Sequence, residues 1–190
     1  SNSDSHSLER IGREANIFDT ELSYQGIIDA LRSRDPKKFT ATIEFFPEEG
    51  KYHYDGHRLC GVSWSPEETK THKNICTKCN RPVTVGVMNR VQVLADRSDL
   101  KLEQVKVGEV TANHYNNRVP YINLVTLDQI IGEALDLGPK TKTVKADYDA
   151  LIKGFKSELD ILMHVSARDL SSIAKSEVVE GIERVRAGRL

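Results

Sequence analysis

Residues 51–90 read KYHYDGHRLCGVSWSPEETKTHKNICTKCNRPVTVGVMNR. All three cysteines of the chain fall here, together with His53, His57, His72 and the single tryptophan, Trp64. His57 and Cys60 form an HxxC pair and Cys76 and Cys79 a CxxC pair, with a loop-like SPEET segment between them. Two residues between donors let a tight turn curl back and aim both side chains at one point, which is what a tetrahedral zinc ion asks of two such turns. Gly56 and Gly61 flank the first pair, and Asn80 and Pro82 follow the second. His57, Cys60, Cys76 and Cys79 are therefore expected to hold a structural zinc ion as a Cys3His site. His53 or His72 could stand in for His57, since each lies within reach of a flexible turn. A redox CxxC needs a strand before it and a helix starting within it, and Arg81-Pro82 directly after the pair argues against that. A catalytic zinc keeps an open position, whereas four donors in ribbon spacing favour a closed site.

Working outward, 190 residues with 38% hydrophobic and 29% charged side chains suit one large or two small soluble domains. No stretch approaches the apolar length of a membrane span, and there is no charged start followed by an apolar run of the signal-peptide kind. No membrane partner is expected. An odd number of cysteines in metal spacing points to a reducing compartment, so the cytoplasm is the expected location. The net charge of −1 conceals a division. Residues 1–50 are acidic in balance. Residues 51–97 carry Lys51, Arg58, Lys70, Lys73, Lys78, Arg81, Arg90 and Arg97 against Asp55, Glu67, Glu68 and Asp96. A basic metal module inside a neutral chain is a candidate nucleic-acid face, although an ordinary solvated surface would show the same charges.

Ser7 is placed to cap a short helix running to Arg13. Ser23 caps an amphipathic helix to about Arg34, with Tyr24, Ile27, Ile28 and Leu31 at helical spacing and Asp35-Pro36 as the stop. FTATIEFF, residues 39–46, reads as a strand ended by Pro47. A short helix is expected at Pro66–Thr71, and another in 86–97 with Val87, Val91 and Leu94 on one face. Residues 98–120 read as a polar, irregular connection. From Thr126 the pattern is helical: Leu127 to Leu135, Val144 to Phe155, Leu159 to Met163, Ala167 to Ile173 behind Ser166, and Lys175 to Arg186. The expected fold class is α+β, a small zinc-ribbon-like module (39–97) followed by a helical domain (98–190), with residues 1–38 a separate piece.

Two further motifs bear on chemistry. Asp4 and His6, two apart, could both face a metal, though a polar terminus would look the same. In LGPKTKTV, residues 137–144, Gly and Pro between helices with Lys140 and Lys142 at the second helix start could grip a phosphate. A plain inter-helix turn with solvated lysines would also fit.

Taken together these stretches resemble one family. SDSHS followed by IGRE looks like the last metal-binding motif of the PHP phosphoesterase domain. TIEFFPEEGKYHYDGHRLCGV, ICTKCNRPVTVGV and RVQVLADR resemble the segment that follows that domain in endonuclease Q, a family in which similar proteins are sometimes labelled helicase-like. The likeness covers most of residues 3–165 and is most specific over 52–62. It implies a metal-dependent DNA-repair hydrolase that cleaves double-stranded DNA 5′ to deaminated bases (hypoxanthine, uracil), with the base turned out of the duplex. Asp4 and His6 would then be catalytic metal ligands and residues 1–38 the end of a PHP domain. Zinc, magnesium or manganese would sit at that centre in the full-length protein. The other ligands of the cluster should lie upstream, so the chain is expected to be a C-terminal fragment without nuclease activity of its own.

Within such an enzyme, Tyr52, Tyr54 and Asp55 would suit an extruded base, and Arg58, Arg81 and Arg90 would suit phosphates. Packing of the tyrosines against the 39–46 strand is the competing expectation, and Trp64 reads as core. The alternative from another class is a zinc-stabilised module that docks replication or repair proteins, helicases included.

Overall fold

The structure is a computed structural model and describes residues 3–50, 52–97, 101–116 and 118–189. The chain forms two compact units: Phe46–Asp99, and a discontinuous one made of Ser1–Phe45 with Leu100–Leu190. In chain order the larger unit begins with β1 (Ala15–Phe18), α1 (Tyr24–Ser33) and β2 (Phe39–Glu44). The inserted unit contains β3 (Asp55–His57), β4 (Val62–Trp64), α2 (Pro66–Thr71) and α3 (Val87–Leu94). The larger unit then resumes with β5 (Leu102–Val107), β6 (Val110–Tyr115) and β7 (Tyr121–Asn123). It finishes with α4 (Leu127–Ala134), α5 (Lys142–Phe155), α6 (Glu158–Met163), α7 (Ala167–Leu170) and α8 (Ser176–Arg186).

The larger unit is built on a five-stranded sheet in the order β1-β2-β7-β6-β5. β2 and β7 run parallel, with Ile43 opposite Ile122, and the other neighbours are antiparallel. Alternation sets the buried face: Phe39, Ala41 and Ile43 in β2, Val110 and Ala112 in β6, Ile122 in β7. The core continues into the helices through Leu127, Ile131, Leu151, Ile161, Leu170 and Ile182. Gly108, at φ +61°, makes the β5–β6 turn, and a Cβ there would lie 2.4 Å from the Met163 carbonyl oxygen. Only glycine lets the hairpin seat on the end of α6, where the Glu109 N–H donates to that carbonyl at 2.7 Å.

The helices begin where their caps predict. Ser23, Thr141, Ser157 and Ser166 each accept a backbone N–H from the first turn they precede. Ser7 does not cap through its side chain, and only a 3-10 turn, Leu8–Arg10, follows it. Two expectations are corrected. The 39–46 strand belongs to the five-stranded sheet and not to the metal module, so the module starts at Phe46 and residues 1–38 are not a separate piece. The supposed irregular connection 98–120 contains the β5–β6 hairpin. β5 is an almost wholly exposed edge strand, so burial never imposed on its sequence the alternation that marks a strand. Among the described residues no helix is long and apolar enough to cross a membrane.

Candidate metal centre

In the inserted unit, β3 and β4 form a hairpin in which His57 pairs with Val62. Between them Arg58–Cys60 makes a 3-10 turn closed by Gly61 at φ +61°, its N–H donating to the Arg58 carbonyl at 3.1 Å. His57 and Cys60 thus stand at the two ends of one turn. The second knuckle is drawn together by the Cys76 N–H on the Arg81 carbonyl (2.8 Å) and the Asn80 N–H on the Cys76 carbonyl (2.9 Å). Asn80 takes the left-handed conformation that closes it, φ +57°.

The ligand atoms of His57, Cys60, Cys76 and Cys79 all lie within 4.8 Å of one another, and His57 Nδ1 is 3.2 Å from Cys79 Sγ. Donors about 2.0–2.3 Å from a tetrahedral zinc ion are about 3.5–3.8 Å apart, so the four need only a slight contraction to fit one. Cys76 is fully buried against Val62, Val83 and Trp64, and the other three are half-buried. Electrostatics also favour a cation. Burial and the hydrogen bonds and negative charge of Cys76 and Cys79 push the Cys60 thiol up to about 11. Burial also opposes ionisation of Cys76. The N–H groups of Lys78 and Cys79, with His57 and Cys79, outweigh it and hold that thiol down to about 6. A divalent ion at the centre would turn this mutual repulsion of thiolates into attraction.

The other histidines lie elsewhere. His72 stacks on Trp64 with ring centres 4.4 Å apart, and His53 is buried edge-on to Tyr54. Of the three candidates for the fourth ligand, the fold brings His57 to the cysteines. Asp4 and His6 are exposed and belong to no group of candidate ligands among the described residues.

Asp55 is not a surface residue: it is 1% exposed. Its carboxylate accepts the Gly86 N–H at 2.5 Å and the Asn89 side-chain amide at 2.6 Å, with Gly86 the residue that precedes α3. Burial would raise its pKa, but the Thr69 hydroxyl, the Gly86 N–H and the Asn89 amide outweigh that and hold it below the usual carboxylate value. Asp55 therefore ties α3 to β3, a structural task that its place in the sequence does not announce. It also lines a cleft of about 480 Å³, together with Tyr52, Tyr54, Arg58, Thr84 and Gly86. A Cβ on Gly86 would come within 2.4 Å of the Tyr54 carbonyl oxygen, so glycine is needed for the close backbone approach there.

Arg58, Arg81 and Arg90 are all exposed on this unit. Lys140 and Lys142, in the other unit, are exposed at the entry to α5. There Thr141 caps the helix with its own side chain, and the adjoining cleft mixes Lys140 and Lys145 with Asp128 and Glu158. The LGPKTKTV turn is thus a capped inter-helix turn in an environment of mixed charge. Two residues at the knuckle tips take places that the sequence does not announce: Lys78, counted there only among the basic residues, whose Nζ donates to the Cys60 carbonyl at 2.7 Å, and Leu59, which is 92% exposed. Their only sequence signal is position, each lying between two ligands.

A family model described as the MJ0043 C-terminal domain matches residues 126–189. The uncharacterized protein MJ0043 of Methanocaldococcus jannaschii is 31% identical over 197 residues, covering all of this chain and 23% of that protein. The uncharacterized protein YqxK of Bacillus subtilis is 26% identical over 191 residues, covering 42% of its length. The lesion-specific endonuclease PfuEndoQ from Pyrococcus furiosus has the same fold over 97% of this chain and 43% of its own, with TM-score 0.79 and 26% identity.

The chain is a relative of endonuclease Q. A second endonuclease Q structure, a complex with a 27-mer duplex substrate carrying an abasic lesion at the active site, matches with TM-score 0.74 and 26% identity. That match covers 98% of this chain and 44% of the other. The chain spans less than half the length of each of these relatives.

Proposed function

We propose that this chain is the DNA-engaging part of an endonuclease Q-type enzyme that cuts duplex DNA 5′ to deaminated bases, hypoxanthine and uracil. It would hold one structural zinc ion through His57, Cys60, Cys76 and Cys79. The observation that carries the proposal is the likeness, over nearly the whole chain, to an endonuclease Q captured on a lesion-bearing duplex. Three thiols and an imidazole are a borderline-soft donor set, which suits zinc better than calcium or magnesium. Arg58, Arg81 and Arg90 supply phosphate contacts, with Lys140 and Lys142 as a second cationic site. Tyr52 and Tyr54, on the cleft, supply flat surfaces for an extruded base. Asp4 and His6 would be the last ligands of a PHP-type hydrolytic centre whose zinc, manganese or magnesium is otherwise held by residues outside this chain.

Fluorescence anisotropy with a hypoxanthine-bearing duplex tests the proposal. The zinc-loaded chain should bind at low salt and lose affinity steeply as salt rises. Replacing Arg58, Arg81 and Arg90 together by Ala should reduce the slope of log K against log salt by about 0.9 for each phosphate no longer neutralised. Absence of duplex binding at low salt would sink it. One observation favours a zinc-stabilised docking module for repair or replication proteins instead: Val87, Val91 and Leu94 form an exposed apolar row on α3. That alternative would gain from the same negative result.

A further inference from the structure

A lone exposed leucine on a protein surface is ordinary. Leu59 is distinguished by its mounting. It sits at the crest of a three-residue turn, Arg58–Cys60, with the candidate ligands His57 and Cys60 on either side. The turn is closed from within by the Gly61 N–H on the Arg58 carbonyl. It is tied from outside by Lys78 Nζ on the Cys60 carbonyl at 2.7 Å, a bond that joins the two knuckles. The side chain itself is 92% exposed, so it contributes almost nothing to the packing of the unit. Arg58 and Lys78, both exposed, place a cation on each of the two knuckle tips beside it. Arg58, the residue before it, also lines the cleft shared with Tyr52 and Tyr54.

An apolar side chain on an unyielding mount, flanked by cations, is the device by which proteins part a base step: the cations hold the phosphates while the wedge replaces the lost stacking. We propose that Leu59 is such a wedge, entering the base stack beside the lesion and filling the gap left when the base turns into the cleft. It can act so only if the chain engages DNA as proposed above. Arg58 and Lys78 then grip phosphates on either side of the opened step. Leu59 is a positioning residue, since it holds the opened geometry and touches no reacting atom.

The test uses the full zinc-loaded chain and a duplex with 2-aminopurine next to a single hypoxanthine, with an undamaged duplex as control. Wild type should raise 2-aminopurine fluorescence about threefold on binding, the sign of an unstacked neighbour. Leu59→Ala should abolish most of that rise and bind the hypoxanthine duplex about tenfold more weakly, with binding to undamaged DNA unchanged. Leu59→Met should restore both. Equal zinc content in all three proteins shows that the turn is intact. If Leu59→Ala keeps the fluorescence rise, or if wild type binds without one, Leu59 is no wedge, although the DNA-binding proposal stands. If Leu59→Ala loses undamaged DNA equally, Leu59 is a general contact and the wedge is again overturned. If wild type binds no duplex at all, the DNA-binding proposal fails first and the wedge with it.

Discussion

Three histidines lie close together in the sequence of the metal unit, and their surroundings give them three different tasks. His57 Nδ1 faces the sulfurs, the His72 ring lies on Trp64, and His53 is buried against Tyr54. His57→Ala should therefore lower the zinc retained after dialysis well below stoichiometric. His53→Ala and His72→Ala should keep it, as elemental analysis of the three purified proteins would show. Asp55 yields a second prediction. Its folded pKa lies below the ordinary 3.8, so the stability it contributes is fully present above that value and lost as pH falls through the lower folded one. Asp55→Asn should cost about 1–3 kcal/mol near neutral pH, because the Gly86 N–H loses a charged acceptor in a buried place. In urea titrations the gap between wild type and Asp55→Asn should narrow below pH 3.8. The ligand set was legible because HxxC and CxxC are local spacings whose geometry a single turn enforces. The task of Asp55 was not, because its partners Gly86 and Asn89 lie 31 and 34 residues away and nothing near it announces them.

At the scale of elements, a buried arginine fastens the end of α6 to α8. Arg186 is 2% exposed. Its Nε donates to the Leu162 carbonyl at 2.9 Å, and Nη2 donates to the carbonyls of Ile161 (2.7 Å) and Val165 (2.6 Å). Nη1 reaches Glu183 at 2.8 Å. Carbonyls at a helix C-terminus have no partner within the helix, and one planar guanidinium supplies several at once. Arg186→Met should destabilise the larger unit by about 2–4 kcal/mol, through carbonyls left unsatisfied. Arg186→Lys should recover little of it, since one ammonium lacks the fork geometry. Thermal melts of the two variants would check both statements. The helices were readable because Ser23 and Ser166 mark their own starts and apolar spacing runs on behind them. β1 and β7, four and three residues long, are too brief for any period to emerge. Their strand character comes from β2, a partner distant in sequence, and not from within.

At the scale of the molecule, the inserted unit has a core of little more than Val62, Cys76 and Val83, with Cys60, Trp64 and Cys79 against it. So small a core offsets little of the entropy of ordering its loops, and an ion held by the four donors as proposed would supply the difference. A strong chelator should unfold this unit, seen as loss of the Trp64 near-UV signal, while the larger unit keeps its helical signal and its own melting transition. Three consecutive domains were expected because sequence is read in order. The larger unit is split by the insertion, and only the long-range pairing of β2 with β7 reveals it. That pairing also has a consequence for biosynthesis. The Asn123 side chain meets the Phe45 carbonyl across 78 residues, so β2 leaves the ribosome long before its neighbour exists. Meanwhile the β1–β2 pair carries a bare edge that invites other nascent chains. An ion that condenses the intervening stretch shortens the effective tether between the two strands. Cells starved of zinc would then accumulate this protein as aggregates before they lost any bound metal from chains already made.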